Sequence, residues 1–489
     1  MSKKGQRQRR LLESSAPPSG QKPSMNLATK DVEAIAEELV SYHALFHDLF
    51  VRPEQRHWSE FYLRGQLSMI ERKTVEPMVL ALKGSNLAAV RAVQQFLGEG
   101  AWDDEAIIVR HQRLVGESLG ETDGAVIFDG SGFPKQGNNS VGVARQYCGA
   151  LGKIANCQQG VFAAYASARG YTFLDHRLYM PEQWFDQAHT ERRARCGVPE
   201  ELRFQTEPKL AIEMLRGLVQ RGQLPFKWVV ADEHYGMNPA FLEAIDALGK
   251  WYFVEVPVST KVWLKEPKVE PPGRGPMGRP RKYVRVVAGE PEAEEVRQLA
   301  GRLPKKAWKP YTIKEGSKGP IVAEFAFVRA TMARRGQPTA RVWVVFRRST
   351  DEDGQLKVYL SNASRNCAHA EMVRVSGMRW PVESAIEEAK GEVGMDHYET
   401  RTWRGWHHHM TQTILAHHFL VRMRLKLKKS ASDDGRAGQG IGSDGVTPER
   451  DESRRSDQDR TVSSGKELRS LSVASKANLA KVPQTEIAA

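Results

Sequence analysis

The sequence predicts an α/β protein: a mixed β-sheet flanked by helices, with a β-rich insertion and an N-terminal helical region. Three observations carry this expectation. Apolar residues recur at helical spacing after Asp31, the period turns strand-like at Gly124, and a second strand-rich stretch begins at Pro257 after strands and helices have alternated. At 489 residues the chain has room for several domains.

Residues 1–30 are basic and rich in Ser, Pro and Gly, the composition of a disordered arm. In residues 31–120, expected to form a helical DNA-binding region, Ile35, Leu39, Leu45, Phe46 and Leu49 recur at helical spacing. A further helix spans Leu87 to Leu97 and stops at Gly98; another runs from Asp103 to Val115. Joined through Gly98 to Trp102, this pair fits a helix-turn-helix and an ordinary bundle equally well.

Strands are expected at Ala125 to Phe128, Gln159 to Ala166 and Tyr171 to Met180, with glycines at the turns. Two helices fit next, the clearer being Lys209 to Gln220, then a strand from Phe226 to Ala231, a helix from Pro239 to Leu248 and a strand from Trp251 to Val256. Three strands, helix, strand, helix, strand is the RNase H-like order. The catalytic domain would cover residues 121–429, cut by a β-rich insertion at about 257–370 that holds a basic loop from Pro271 to Lys282 and strands at Ile321 to Arg329, Ala340 to Phe346 and Leu356 to Leu360. Helices return at Pro381 to Val393 and Trp406 to Leu427. Residues 430–489, poor in large apolar side chains, read as a disordered tail.

The chain carries 72 Lys and Arg against 59 Asp and Glu, a formal net charge of +13. That excess favours a polyanionic partner, because cations gain affinity by displacing counterions from phosphates. An anionic membrane surface fits the charge too, but no run is long and apolar enough to span a bilayer, and Ser14-Ser-Ala-Pro-Pro-Ser stands where a signal peptide would be apolar. The expectation is a soluble, cytoplasmic, nucleoid-associated protein. Cys148, Cys157, Cys196 and Cys367 form no CxxC pair and are read as reduced thiols.

Chemistry is expected at three carboxylates. Asp129 closes the apolar run Ala125-Val-Ile-Phe, and Asp232 closes Trp228-Val-Val-Ala. Alone, each fits a turn residue bonding its local backbone. On neighbouring strands about 4.8 Å apart they would lie close enough to share metal ions, an arrangement whose repulsion only a cation relieves. Glu233 and His234 adjoin Asp232, which is preferred because it ends the strand. Glu383 lies beside the helical stripe Val382, Ile386, Ala389 and Val393, with Glu387 as its competitor and an exposed charged face as the alternative. Oxygen ligands suit Mg²⁺ or Mn²⁺. His407-His-His409 points in three directions on a helix and is read as packing and surface. Trp263 and Trp343 in the insertion are candidates for stacking on a displaced base.

Arg379, Glu383 and Lys390, spaced by three and then six residues, resemble the Tyr-Arg-Glu-Lys signature of DDE-type transposases of bacterial insertion sequences, groups four and seven-hundred-and-one. The phrases Gly132-Phe-Pro-Lys-Gln-Gly, Ser140-Val-Gly-Val-Ala-Arg-Gln-Tyr-Cys-Gly and Gly391-Glu-Val-Gly-Met-Asp-His-Tyr-Glu-Thr-Arg resemble the latter group, and the likeness covers roughly Asp31 to Lys428. The resemblance implies that Asp129, Asp232 and Glu383 are the catalytic, metal-binding triad for two Mg²⁺ or Mn²⁺ ions, and that Arg379 and Lys390 contact DNA phosphates. The signature's Tyr position is Ser376, whose hydroxyl would be left to bond a phosphate. It further implies cleavage at the terminal repeats, strand transfer into target DNA, and at least a homodimer in the DNA complex. The rivals are a non-catalytic DNA-binding regulator and a nuclease on the same fold without strand transfer.

Overall fold

The computed structural model describes residues 29–273, 283–316, 319–349 and 355–437. The expected arm up to residue 28, most of the basic loop before Lys282, and the tail beyond residue 437 lie outside the described residues.

Five α-helices come first: α1 (Thr29–Ala44), α2 (Pro53–Leu67), α3 (Val75–Lys83), α4 (Leu87–Gly98) and α5 (Asp104–Leu119). Side chains set two of their starts. Asn86 accepts the Ala89 amide at 3.0 Å and Asp103 that of Ala106 at 2.9 Å, each satisfying a donor that has no partner in the first turn. α5 buries Ile107, Ile108, Leu114 and Val115, while its His111 and Gln112 bond the Phe173 and Leu174 carbonyls of the sheet. The helix pair expected as a DNA reader is thus built into a bundle that packs on the sheet.

The sheet begins with β1 (Ala125–Pro134), β2 (Ala144–Cys148), β3 (Lys153–Ser167) and β4 (Gly170–Tyr179). After α6 (Thr190–Arg195) and α7 (Glu207–Arg221) come β5 (Trp228–Ala231), the short α8 (Glu233–Gly236), α9 (Pro239–Ala247) and β6 (Trp251–Val256). β3 is antiparallel to β1 and to β4, whereas β1, β5 and β6 run parallel. The spatial order β4-β3-β1-β5-β6 and these senses are those of an RNase H-like sheet. β2, absent from the sequence-based expectation, pairs with the first part of β3 on the same edge as β4.

The insertion contributes β7 (Lys261–Trp263), β8 (Val269–Glu270), β9 (Arg285–Val286), β10 (Glu294–Glu295), α10 (Val296–Arg302), β11 (Lys309–Gly316), β12 (Gly319–Arg334), β13 (Gln337–Ser349) and β14 (Leu356–Ser361). It prolongs the central sheet, because β14 pairs antiparallel with β6 and leads on to β13, β12, β7 and β10, giving 12 strands among the described residues. Trp263 and Trp343 are not open to a base: they are 5% and 8% exposed, and their indole N–H groups donate to Pro291 and Ser364 carbonyls at 2.8 and 3.1 Å. Apolar rings with one satisfied donor are doing the work of core.

Three helices close the fold: α11 (His369–Ser376), α12 (Trp380–Val393) and α13 (Trp403–Ala437), the last continuing seven residues past the boundary expected at residue 430. One apolar cluster joins α1–α5 to the sheet, α12 and α13 through Leu39, Tyr62, Phe96, Phe162, Val382 and Ile414, so the boundary expected at residue 120 separates no cores. Residues 405–421 of α13 are buried on every side. Most of its polar side chains are paired, among them His409 with Tyr62 at 2.9 Å, Thr413 with Gln66 at 2.8 Å and Gln412 with Ser59 at 3.0 Å, while the buried Thr411 hydroxyl has no partner among the described residues. His407, His408 and His409 are buried too, bonding the carbonyls of Trp403, Leu97 and Met395 in three directions. All four cysteines are free and buried, and among the described residues no helix is long and apolar enough to cross a membrane.

Burial holds these imidazoles neutral. His111 and His407 are lowered to about 4, and His43, His408 and His409 to about 3, in each case mainly by desolvation of the charged form. An unfolded His titrates near 6.5. With folded values depressed, this contribution to stability is complete above pH 6.5 and is lost as pH falls toward 4, since only the unfolded chain takes up the protons. Urea denaturation at fixed ionic strength is expected to show stability dropping steeply between pH 6.5 and 4.5; a flat profile there would contradict the buried neutral cluster.

Candidate active site

The parallel pairing of β1 with β5 sets Phe128 against Ala231. The next residue on each strand is an aspartate, so Asp129 and Asp232 occupy equivalent positions on neighbouring strands, which stand about 4.8 Å apart. Both follow the side-chain parity of Ile127 and Val230, which pack in the cluster containing α12 and α13. Each also bonds its own backbone. Asp129 accepts the Gly130 amide at 2.8 Å, and Asp232 caps α8 through the His234 and Tyr235 amides at 3.0 and 3.4 Å. Capping and site-building therefore coexist at Asp232.

α12 supplies the third acid. Val382, Ala385, Ala389 and Val393 are fully buried against the sheet, which leaves Glu383 half-buried at the edge of that stripe and Glu387 exposed. Glu388, one position on, is committed elsewhere, accepting the Tyr171 hydroxyl at 2.7 Å and lying 3.2 Å from His417. Arg379 precedes the helix and reaches Glu383 at 2.6 Å. Lys390 extends toward β1, with Nζ 3.2 Å from the Gly132 carbonyl.

Electrostatics ties these groups together. Asp129 is raised to about 7, first by burial and then by Asp232, with Glu383 adding to the rise and Arg379 opposing it. Burial works against the charge of Arg379, but Glu383, Asp129, Glu255 and Asp232 hold it above its usual value. Lys390 is lowered by desolvation, partly offset by Asp396. Asp129, Asp232, Glu383 and Arg379 thus share one field. Ser376 does not join them as a phosphate contact. Its hydroxyl is buried at the end of α11, where it donates to the Val373 carbonyl at 2.6 Å and closes the last helical turn.

Among the described residues no three His, Cys, Asp or Glu side chains form a metal-ligating group. The donor chemistry nonetheless fits a hard cation: the side chains offer oxygens, and the half-buried Asp129 beside Asp232 is a carboxylate whose ionisation a divalent ion would favour. Glu383 is paired with Arg379 at 2.6 Å.

Several neighbours were beyond sequence reasoning. Glu207, at the start of α7, lies 3.4 Å from His234, and its charge with those of Asp129 and Asp232 acts on Tyr235, a buried phenol whose hydroxyl has no protein partner. Its only sequence signal, an acid opening a helix, is shared with ordinary helix starts. Lys314 arrives from β11, its ammonium 3.5 Å from the ring centre of the exposed Trp380.

A family model described as "DDE superfamily endonuclease" matches residues 45–320, more than half of the chain. That stretch contains Asp129 and Asp232 and ends before Arg379, Glu383 and Lys390. The chain is also 28% identical over 235 residues to a protein of Microchaete diplosiphon named "Probable transposase for insertion sequence element IS701". The match covers 47% of this chain and 55% of the relative, so the chain spans about half the length of the curated relative it matches. Among solved structures, the NurA nuclease from Sulfolobus solfataricus aligns over 69% of this chain and 94% of its own at 10% identity, and a TM-score of 0.24 leaves that likeness without weight. The structure carries β1 on through Asp129 to Pro134, so Asp129 lies within the strand and not at its end as expected. The expected resemblance to insertion-sequence transposases is met by the relative, and by the family match that runs through both aspartates the chain belongs to the DDE superfamily endonucleases.

Proposed function

We propose that this chain is an insertion-sequence transposase, cutting a phosphodiester at the element's terminal repeats with water and joining the freed 3′-hydroxyl to target DNA. The observation that carries the proposal is geometric: Asp129 and Asp232 hold equivalent positions on two parallel strands, and α12, which bears Glu383, packs in the same cluster as Ile127 and Val230 of those strands. Asp129, Asp232 and Glu383 would hold two Mg²⁺ or Mn²⁺ ions, which when bound supply activation of the attacking water and stabilisation of the leaving oxygen.

The chain's own cations do the rest. Arg379, charged at every working pH, presents a planar fork suited to a phosphate, and its present partner Glu383 is released when it turns to one. Lys390, held beside β1, grips the strand near the cleavage point as a single charge. Joining two element ends calls for two copies of the chain in the DNA complex.

The test is a labelled duplex bearing an insertion-sequence end, incubated with Mg²⁺ and a target plasmid. Asp129→Ala, Asp232→Ala and Glu383→Gln are each expected to lower cleavage by at least 10²-fold while duplex binding stays within a few-fold, whereas Glu387→Gln cleaves normally. Activity retained by Glu383→Gln and lost by Glu387→Gln would reverse the assignment. Cleavage without joined product would indicate a nuclease, and binding without cleavage a regulator.

A second expectation concerns stability. Asp129 has a folded pKa of about 7 against an ordinary 3.8, so its contribution is complete below 3.8 and is lost as pH rises through 7, when the folded chain must hold a disfavoured charge. Asp129→Asn removes that cost. Metal-free Asp129→Asn is expected to be more stable than the parent at pH 8, on the order of 2 kcal/mol once solvent screening is allowed for, with the gain vanishing near pH 4. Added Mg²⁺ should raise the melting temperature of the parent and leave the variant unmoved; equal shifts in both would remove Asp129 from the ion's ligands.

A further inference from the structure

The hairpin of β2 and the start of β3 is unused by the site yet built onto it. Its turn end is packed against the residue that Lys390 touches: a Cβ placed on Gly132 would come within 2.8 Å of Sγ of Cys148, the last residue of β2. β3 pairs with β1 only from Cys157 onward, and the part of the hairpin before it folds back so that the turn Gly149–Leu151 lies against β1, the strand that carries Asp129. At that end Tyr147 and Ile154 stand opposite one another, each 61% exposed, with Leu151 46% exposed in the turn. Arg145 and Lys153 are exposed beside them, and among the described residues neither has an ion-pair partner. From Gly130 to Leu174 the chain contains no Asp or Glu, while Lys135, Arg145, Lys153 and Arg169 all fall within it.

A cationic ribbon free of carboxylates, tipped by an aromatic and a branched aliphatic side chain, is matched to a polyanion that also offers apolar surface. We infer that this hairpin is a DNA-contacting wedge: Arg145 and Lys153 bind phosphates on either side of a groove, and Tyr147 with Ile154 packs against sugars and base edges between them. The inference rests on the proposal that the chain acts on DNA. A protein partner is the poorer match, because two or three apolar side chains fall far short of the roughly 800 Å² per side that a stable interface buries, and the charges would repel a second copy of the same ribbon.

The experiment uses the full chain, a fluorescent 30-base-pair duplex of arbitrary sequence and metal-free buffer, with binding followed by anisotropy across a salt series. Tyr147→Ala/Ile154→Ala is expected to weaken binding about tenfold without changing the salt slope. Arg145→Gln/Lys153→Gln should make the log–log slope shallower by about 1.8, the loss of two phosphate contacts. Melting temperatures of both variants, measured alongside, should match the parent, since the substituted side chains are exposed. Parent-like affinity and slope in both variants, with the parent binding normally, would overturn the wedge and leave the transposase proposal standing. Failure of the parent to bind any duplex would overturn both. Loss of a dimer in light scattering by the apolar variant, with unchanged DNA affinity, would overturn the wedge in favour of self-association.

Discussion

The parallel ladder between β1 and β5 is the constraint on which the rest of this molecule depends. Its register, Ala125 with Trp228 through Phe128 with Ala231, leaves Asp129 and Asp232 as the first residues past the paired segment. A slip of one residue would turn one aspartate to the opposite face, because strand side chains alternate. The slip is blocked from both sides. Ile127 and Val230 belong to the cluster under α12 and α13, Val126, Phe128, Val229 and Ala231 to the cluster on the other face, and both sets are almost fully buried. Two apolar cores thus hold the distance between two carboxylates that would otherwise repel.

The same logic explains why α13 is so polar and so buried. It lies between the N-terminal helices and the sheet, and a helix wrapped on all sides needs partners for most of the polar groups it carries. Tyr42, Ser59, Tyr62 and Gln66 from the first helices and Thr172 from β4 provide those partners. Each unpaired group would cost about 1–3 kcal/mol, so the pairing fixes the rotation of α13 more sharply than apolar contact alone. α12 rests against α13 through the Glu388–His417 contact, and the position of Glu383 follows from that seating.

Much of this was legible. Glycine-punctuated runs of period two marked β1, β3 and β4, and the alternation that follows marked α7, β5, α9 and β6, because those strands are short, apolar and bounded by turn residues. The continuation of the sheet through β14, β13 and β12 was not legible, since periodicity says that a strand exists and nothing of which edge it joins. His407 to His409, read as packing and surface, prove to be packing alone: imidazole suits a wet surface and a hydrogen-bonded interior alike, and only the partners Leu97 and Met395, distant in sequence, decide between them. Ser376 was given a free hydroxyl because its use of the Val373 carbonyl is a matter of side-chain rotation that spacing does not encode. Glu207 and Lys314 reach the site from elements whose approach is set by tertiary packing.

The division of labour among the three acids follows from their supports. Asp129 and Asp232 sit on strands that cannot move without opening both cores, so burial first and the charge of Asp232 second hold the Asp129 carboxyl above its usual range. Glu383 stands in the first turn of a helix, on a longer side chain, and its charge is already answered by Arg379 at 2.6 Å. Under the proposed function the rigid pair would fix where positive charge is wanted, and the adjustable pair would decide when a third carboxylate is free to help supply its ligands. In the proposed reaction, the arrival of a phosphate at Arg379 is the event that changes that balance, which makes the Arg379–Glu383 contact the element of the site most directly coupled to DNA.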